Sequence, residues 1–320
     1  METLGFEGRV VVVTGAGRGI GRGHARLLAA RGARVVVNDL GGSIGGSGTD
    51  AGPAAEVVAE ITAAGGEAVA DTGDVADPGA AAAMIATAVE RFGRIDALVN
   101  NAGIVRWAGP AEADADNLAR HLAVHVAGSF NTTVAAWPHF VEQGAGRIVM
   151  TTSAGTFGLP HNLGYATAKG GIIGMVRSLA VAGRRHGIAV NAVAPAAYTR
   201  MAGVPGQEPD PTDPLVAGMD PDLVAPMVAF LAHPDCPVSG EVYAAGAGRF
   251  SRIFLGATPG HLVTGRAPTP EDVTAHWTEI NDTAGFTVPA DLMDWSAGFT
   301  AHLLADPPTD PPTDPPTEET

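Results

Sequence analysis

The chain has 320 residues, 46% hydrophobic and 17% charged, with a formal net charge of −15. That composition supplies ample apolar material for a core and excludes wholesale disorder. The acidic balance argues against a nucleic-acid backbone or an anionic membrane surface as the main partner. A single cysteine, Cys236, allows neither an intramolecular disulfide nor a thiolate metal cluster and reads as a small buried hydrophobe.

The opening "METLGFEGRVVVVTG" runs straight into a strand without a signal-peptide pattern, and no apolar run has the length of a spanning helix. A soluble, cytoplasmic protein is the expectation. Short apolar runs recur at 9–14, 33–39, 67–75, 94–103, 146–152, 187–195 and 240–248. Between most of them lie segments with helical spacing, among them "GRGHARLLAARG", "AAAMIATAVERFG" and the long stretch from Asn117 to Gly144. Strands that are apolar throughout and alternate with helices define an α/β fold. The expected architecture is one doubly wound domain with a seven-stranded parallel sheet and helices on both faces over 1–250.

Two loops interrupt the rhythm. Residues 40–53 are rich in glycine, and 204–214 are polar and proline-rich, where a substrate lid is expected. Beyond about 250 the pattern is irregular, although "TPEDVTAHWTEI" (269–280) has the cap, acidic first turn and apolar spacing of a helix. This C-terminal extension, 251–305, is expected to pack near the substrate site or a subunit interface. Residues 306–320 repeat a DPPT-based unit with nothing to bury and read as a disordered tail.

"TGAGRGIG" (14–21) joins the first strand to the first helix. Its glycines, Gly15, Gly17, Gly19 and Gly21, let a backbone turn sharply against a pyrophosphate whose charge is met by helix N-terminal N–H groups. Their spacing is not G-x-G-x-x-G, and a tight strand-to-helix turn is the plain alternative. Asp39 at the end of the second strand can bind the adenosine ribose and repel a 2′-phosphate, which favours NAD over NADP, with Arg18 as a partial offset.

Tyr165 and Lys169 stand four apart, one face of a helix, just after the hydroxyls Thr151, Thr152 and Ser153. An ammonium about 4 Å from a phenol at an effective dielectric near 20 is worth on the order of 4 kcal/mol. That would pull the phenol about three units below its usual ~10 and make it a proton-transfer group near neutrality. No set of histidines has metal-ligand spacing, so no metal site is expected.

Taken in order, TGxxxGxG at 14–21, Asp74 with Val75, NNAG at 100–103, YxxxK at 165–169 and Pro195 resemble the short-chain dehydrogenase/reductase family over roughly 5–250. The resemblance implies a Rossmann domain that binds a nicotinamide cofactor. Asp74 and Val75 would flank the adenine, and Asn101, Ala102 and Gly103 would line the groove. Lys169 would hold the nicotinamide ribose, with Arg18, Ile20, Pro195 and Thr199 also at the cofactor, and Tyr165 would transfer the proton. The family places a hydroxyl thirteen residues before the tyrosine. That is Thr152, favoured on spacing, with Ser153 one residue later as the alternative. His125 occupies the position of the family's helical asparagine, where it would help hold a proton-relay water.

Within the family, "VVVNDLGG" (35–42), "VHVAGSF" (124–130), "AAW" (135–137), "TRM" (199–201) and "DPDLVAPMVAFLAH" (220–233) resemble the (3R)-hydroxyacyl-CoA dehydrogenase part of peroxisomal multifunctional enzyme type 2 and bacterial relatives. No counterpart of that group's hydratase domain is expected here. "GLPHNLGY" and "PAAYTRM" depart from that group's pattern, so a free secondary alcohol, such as a hydroxysteroid or terpenoid, stays open as substrate. Arg106, Arg200, Arg249 and Arg252 are the cations available for CoA phosphates. A cofactor-binding protein without turnover is a third reading, which the retained Tyr165 and Lys169 argue against. A homodimer or homotetramer through helices at 112–143 and 165–185 is what the resemblance implies.

Overall fold

The computed structural model describes residues 4–202, 210 and 212–303. The expected lid at 204–214 and the tail at 306–320 therefore fall largely or wholly outside the described residues. Contacts divide the chain into two units, Met1–Phe254 and Leu255–Thr320.

The first unit is a single sheet: β1 (Val10–Val13), β2 (Arg34–Asn38), β3 (Glu67–Asp71), β4 (Ala97–Asn100), β5 (Gly146–Thr151), β6 (Ile188–Pro195), β7 (Val242–Gly246) and β8 (Arg249–Ile253). Their spatial order is 3-2-1-4-5-6-7-8. The first seven pair in parallel, at the seven places where apolar runs predict strands. The eighth is a correction to the seven-stranded expectation. β8 pairs antiparallel with β7 across a two-residue turn, Ala247–Gly248, with φ of +49° and +72°. Positive φ at both turn residues matches the twist of a tight hairpin. The strand itself, "RFSRI", is exposed and carries Arg249 and Arg252 on the sheet edge, so it lacks the apolar signature of a central strand.

Helices α1 (Gly19–Ala30), α2 (Gly52–Ala63), α3 (Pro78–Phe92), α4 (Ala115–His121), α5 (Gly128–Gln143), α6 (Leu163–Gly183), α7 (Pro214–Gly218) and α8 (Ala225–Ala232) complete this unit. β1 shows why the sheet is covered on both sides: Val11 and Val13 join a core with Leu28, Val57 and Leu231, while Val10 and Val12 join one with Met84, Phe140 and Ile172. Alternate side chains of one buried strand feed opposite cores, so every residue of it must be apolar. Between α4 and α5 the helix widens into a π turn at Leu122–Ala127, which contains His125. In the second unit the helix expected at 269–280 forms as α9 (Pro270–Ala275) and α10 (Trp277–Ile280), interrupted at His276, and α11 (Leu292–Phe299) follows. Among the described residues no helix is long and apolar enough to cross a membrane.

His24 in α1 is wholly buried, and neither ring nitrogen has a partner among the described residues. Burial pushes its pKa down to about 3. In the unfolded chain an imidazole titrates near ~6.5, so below that pH the unfolded state takes a proton that the folded state refuses. The stability present above ~6.5 is thus lost progressively as pH falls toward 3, by about 3 kcal/mol at pH 4.5 through this residue. Urea unfolding of His24→Met should show a midpoint that declines less steeply between pH 7 and 4.5. Parallel profiles for the two proteins would refute this.

Candidate active site

Strand order reverses between β1 and β4, and the loops leaving those two strands open a crevice at their carboxyl ends. The Thr14 hydroxyl stitches the two loops together, accepting from Asn101 N and Ala102 N at 3.0 Å each. Asn101 Nδ2 returns the contact by donating to the carbonyls of Thr14 and Gly15, again at 3.0 Å. Gly15 has φ +61°, and a Cβ there would lie 2.7 Å from Ala102 Cα, so the approach of the loops admits no side chain. Asn100 anchors the floor: Thr132 donates to its Oδ1 at 2.7 Å and its Nδ2 donates to Thr133 at 3.2 Å.

The crevice is a cavity of about 620 Å³. At one end no side chain caps the first turn of α1, which leaves its N–H groups to an anionic ligand. Asp39 stands there with its carboxylate fixed by Gly17 N at 2.9 Å and Gly41 N at 2.7 Å. Arg200 lies against the same region: burial and the nearby Arg18 lower its pKa, while Asp39 raises it.

At the other end, α6 begins with Asn162, whose Oδ1 accepts from Tyr165 N at 3.3 Å. One turn on, Lys169 is 3% exposed and its Nζ donates to the Thr151 carbonyl at 2.7 Å. Burial brings its pKa down to about 7. The ammonium lies 5.6 Å from the centroid of the Tyr165 ring. The Tyr165 phenol is shifted upward by burial, partly offset by the Ser153 hydroxyl donating to it. This corrects the expectation of a phenol made acidic by its neighbour. Desolvation penalises the charged form of both groups and is the leading cause of each shift.

The spacing argument for Thr152 also fails in the geometry. Its hydroxyl is 1% exposed and donates to the Lys169 carbonyl at 2.8 Å, facing away from the cavity. Ser153 lines the cavity, and because its Oγ already accepts from Gly155 N at 3.0 Å, its O–H is oriented to donate outward. His125 lines the cavity too, edge-on to Tyr165 with ring centroids 5.3 Å apart. Its Nε2 lies 2.9 Å from the Ile104 carbonyl and its pKa is held well below the usual imidazole range, chiefly by burial and then by Lys169.

Of the remaining sequence candidates, Gly15, Arg18, Gly19, Ile20, Gly21, Asp39, Asp74, Val75, Asn101, Ala102, Gly103, Pro195 and Thr199 all line the same cavity. Gly17 does not; it shapes the loop by donating to Asp39. The four arginines proposed for phosphates do not converge. Arg106 pairs with Asp116 at 2.6 Å, Arg252 pairs with Glu241 at 2.7 Å, Arg249 is exposed on β8, and Arg200 sits at the Asp39 end. Residues that sequence reasoning passed over include Thr14, Asn162, Trp107, Leu159 and Arg120. Thr14 alone had a signal, as the first position of the glycine motif.

The cavity suits an anionic, polar cofactor on the chain's own terms. His125 Nδ1, Thr151 Oγ1 and Asn162 Nδ2 belong to its lining residues and are buried without partners among the described residues, a polar demand that a bound molecule or water meets. A family model for short chain dehydrogenase matches residues 9–205. A short-chain type dehydrogenase/reductase of Mycobacterium tuberculosis is 42% identical over 88% of this chain and 96% of its own length. Mouse peroxisomal multifunctional enzyme type 2 is 41% identical over 92% of this chain, which spans only 40% of that enzyme. The crystal structure of a short chain dehydrogenase from Mycobacterium avium superposes with TM-score 0.74 at 39% identity, covering 86% of this chain and 95% of that one. The chain belongs to the short-chain dehydrogenase/reductase family, a class of oxidoreductases that act on CH–OH groups with a nicotinamide cofactor.

Ser153→Ala should cut turnover roughly 100-fold, the scale of losing one oxygen-binding donor. Thr152→Ala should cost about 1 kcal/mol of stability for a lost buried hydrogen bond and slow turnover less than tenfold. Steady-state rates and urea midpoints of the two variants decide; the reverse ranking would restore Thr152 as the functional hydroxyl.

Proposed function

We propose that the chain catalyses NAD-linked interconversion of a secondary alcohol and a ketone on a (3R)-3-hydroxyacyl-CoA with a fatty or steroid side chain. The observation that carries the chemistry is the convergence of Ser153, Tyr165 and Lys169 on the cavity that also holds the uncapped end of α1 and Asp39. A bound nicotinamide supplies the hydride acceptor or donor at ring carbon C4. In the oxidative direction the Tyr165 phenol first gives up its own proton, to neutral Lys169 or to water; the phenolate then takes the alcohol proton as hydride leaves the carbinol carbon and the carbon–oxygen double bond forms, while Ser153 donates to the substrate oxygen. Lys169, at the midpoint of its titration near neutral pH, holds or releases the balancing proton beside Tyr165. His125, with Nδ1 unpartnered among the described residues, is positioned to hold a water for that proton.

The substrate class rests on the subgroup residues at 35–42, 124–130, 135–137, 199–201 and 220–233 and on the likeness to the multifunctional enzymes. The lining near Tyr165, with Ile104, Val105, Trp107 and Leu159, suits an acyl chain. A free secondary alcohol is the second reading, favoured by the carboxylate pairing of Arg106 and Arg252 that leaves fewer cations for CoA. NAD is assigned over NADP because a carboxylate, Asp39, stands where a 2′-phosphate would add charge. A homo-oligomer is part of the same reading: Leu118, Leu122, Phe130, Val134 and Val141 are exposed along the α4–α5 helix at near four-residue spacing, an apolar stripe that a second copy would cover.

NADH formation measured across (3R)-hydroxyacyl-CoA thioesters and free alcohols should favour the thioesters in kcat/KM, and Tyr165→Phe should lower that rate by roughly 1,000-fold with cofactor still bound. Turnover of free alcohols alone would overturn the substrate assignment, and an undiminished Tyr165→Phe would overturn the mechanism. Asp39→Ser should move the NADP-to-NAD ratio of kcat/KM upward by roughly tenfold or more; a constant ratio would remove the basis for NAD. Light scattering at a monomer mass for the unmodified chain would refute the oligomer, whereas Phe130→Glu with Val134→Glu should produce that monomer.

A further inference from the structure

The second unit contains a cluster of side chains with metal-ligating chemistry. His261, His276 and Glu279 bring one donor atom each to within 4.8 Å of one another. The imidazole rings stack in parallel, 3.5 Å apart at 6°. Both Nδ1 atoms face one oxygen, Glu279 Oε2, at 2.8 Å for His261 and 3.3 Å for His276.

The backbone holds these side chains together rather than leaving them to chance. Ala257 and Thr287 exchange two hydrogen bonds of 2.9 Å, and the Thr258 hydroxyl donates to the Ile280 carbonyl at 2.9 Å, which fastens the segment leading to His261 onto α10. His276 N donates to Asp272 O at 3.0 Å and Ile280 N to His276 O at 2.9 Å, so His276 and Glu279 lie one turn apart on one side. The start of α9 is fixed in turn by a reciprocal cap between Thr269 and Asp272 and by Arg266 on the same carboxylate.

We propose that His261, His276 and Glu279 form a binding site for a divalent transition metal of the zinc class. Two imidazole nitrogens and one carboxylate oxygen are a donor set such ions prefer, with the fourth position left to water. Ligand atoms about 2.0–2.1 Å from an ion at tetrahedral angles stand about 3.3 Å from one another, close to the two Nδ1–Oε2 separations here. As a purely hydrogen-bonded cluster the arrangement uses both rings as donors to one carboxylate oxygen. Both Nδ1 atoms must carry hydrogens aimed at one oxygen, and protonating both stacked rings would set two like charges against each other. A cation would replace those hydrogens once one of the stacked rings turns about its Cβ–Cγ bond, because the Nδ1 lone pairs of parallel rings 3.5 Å apart converge on one ion only after that rotation. The site would clamp the segment after residue 255 to α10. The sequence carries no signal for the cluster, because His261 and His276 are fifteen residues apart and only the fold of the second unit joins them.

The test uses the tag-free full-length chain, freed of metal with chelator and titrated with ZnCl2 by calorimetry and with CoCl2 by visible absorption. One equivalent per chain should bind, with the d–d bands of low-coordinate cobalt. His261→Ala and Glu279→Gln should each weaken binding by roughly 100-fold or more, whereas His302→Ala should not. Without any substitution, zinc should protect His261 and His276, and not His302, from diethyl pyrocarbonate. Binding weaker than millimolar, binding unaltered in the two ligand variants, or equal labelling of all three histidines with and without zinc would each overturn the site.

Discussion

Seven parallel strands must all point the same way, and the rest of the molecule follows from that constraint. Parallel pairing sends every carboxyl end to one rim of the sheet, and each return to the opposite rim requires a crossover packed on a face. Because chain order reverses between β1 and β4, helices leave the rim in opposite directions there and cannot fill the gap. The glycine loop, the Asn101 turn, the end of β2 carrying Asp39 and the start of α6 all border that gap without any of them being adjacent in sequence. The two apolar cores on either face keep the strands rigid, so the loops are presented from a fixed frame.

Burial, rather than direct charge pairing, sets the electrostatics of the reactive groups. Lys169 is withdrawn from water beneath β5 and satisfied by a backbone carbonyl, with no carboxylate partner among the described residues. Tyr165 and His125, buried in the same wall, are likewise driven toward their neutral forms. Three neighbouring groups that each resist ionisation form a region where a charged ligand would shift all of them together. The π turn around His125 is the local backbone device that delivers this histidine to the wall, at the cost of irregular helix hydrogen bonding.

How much of this is legible in the sequence depends on the range of the interaction. Seven strands and the long helices were readable because burial on two faces leaves an unbroken apolar run, and on one face a 3.6-residue period. β8 was not, since an edge strand rich in arginine has no such pattern and depends on two positive-φ residues whose conformation only the hairpin reveals. The residues expected at a cofactor come from ordered motifs, and all except Gly17 line one cavity. The choice between Thr152 and Ser153 went the other way from the spacing. Strand side chains alternate, so a single residue decides whether a hydroxyl meets the cavity or the back of α6, and counting from Tyr165 ignores the loop between.

The sequence by itself determined the fold class, the family, the glycine-loop and Tyr-Lys machinery and the carboxylate at the end of β2, because each is written in local periodicity or in motifs of fixed short spacing. Tertiary structure decided which hydroxyl lines the cavity with the phenol, how deeply Tyr165 and Lys169 are buried, where the arginines end, and the meeting of His261 with His276 and Glu279. Those properties depend on desolvation and on through-space neighbours, and neither is a function of distance along the chain.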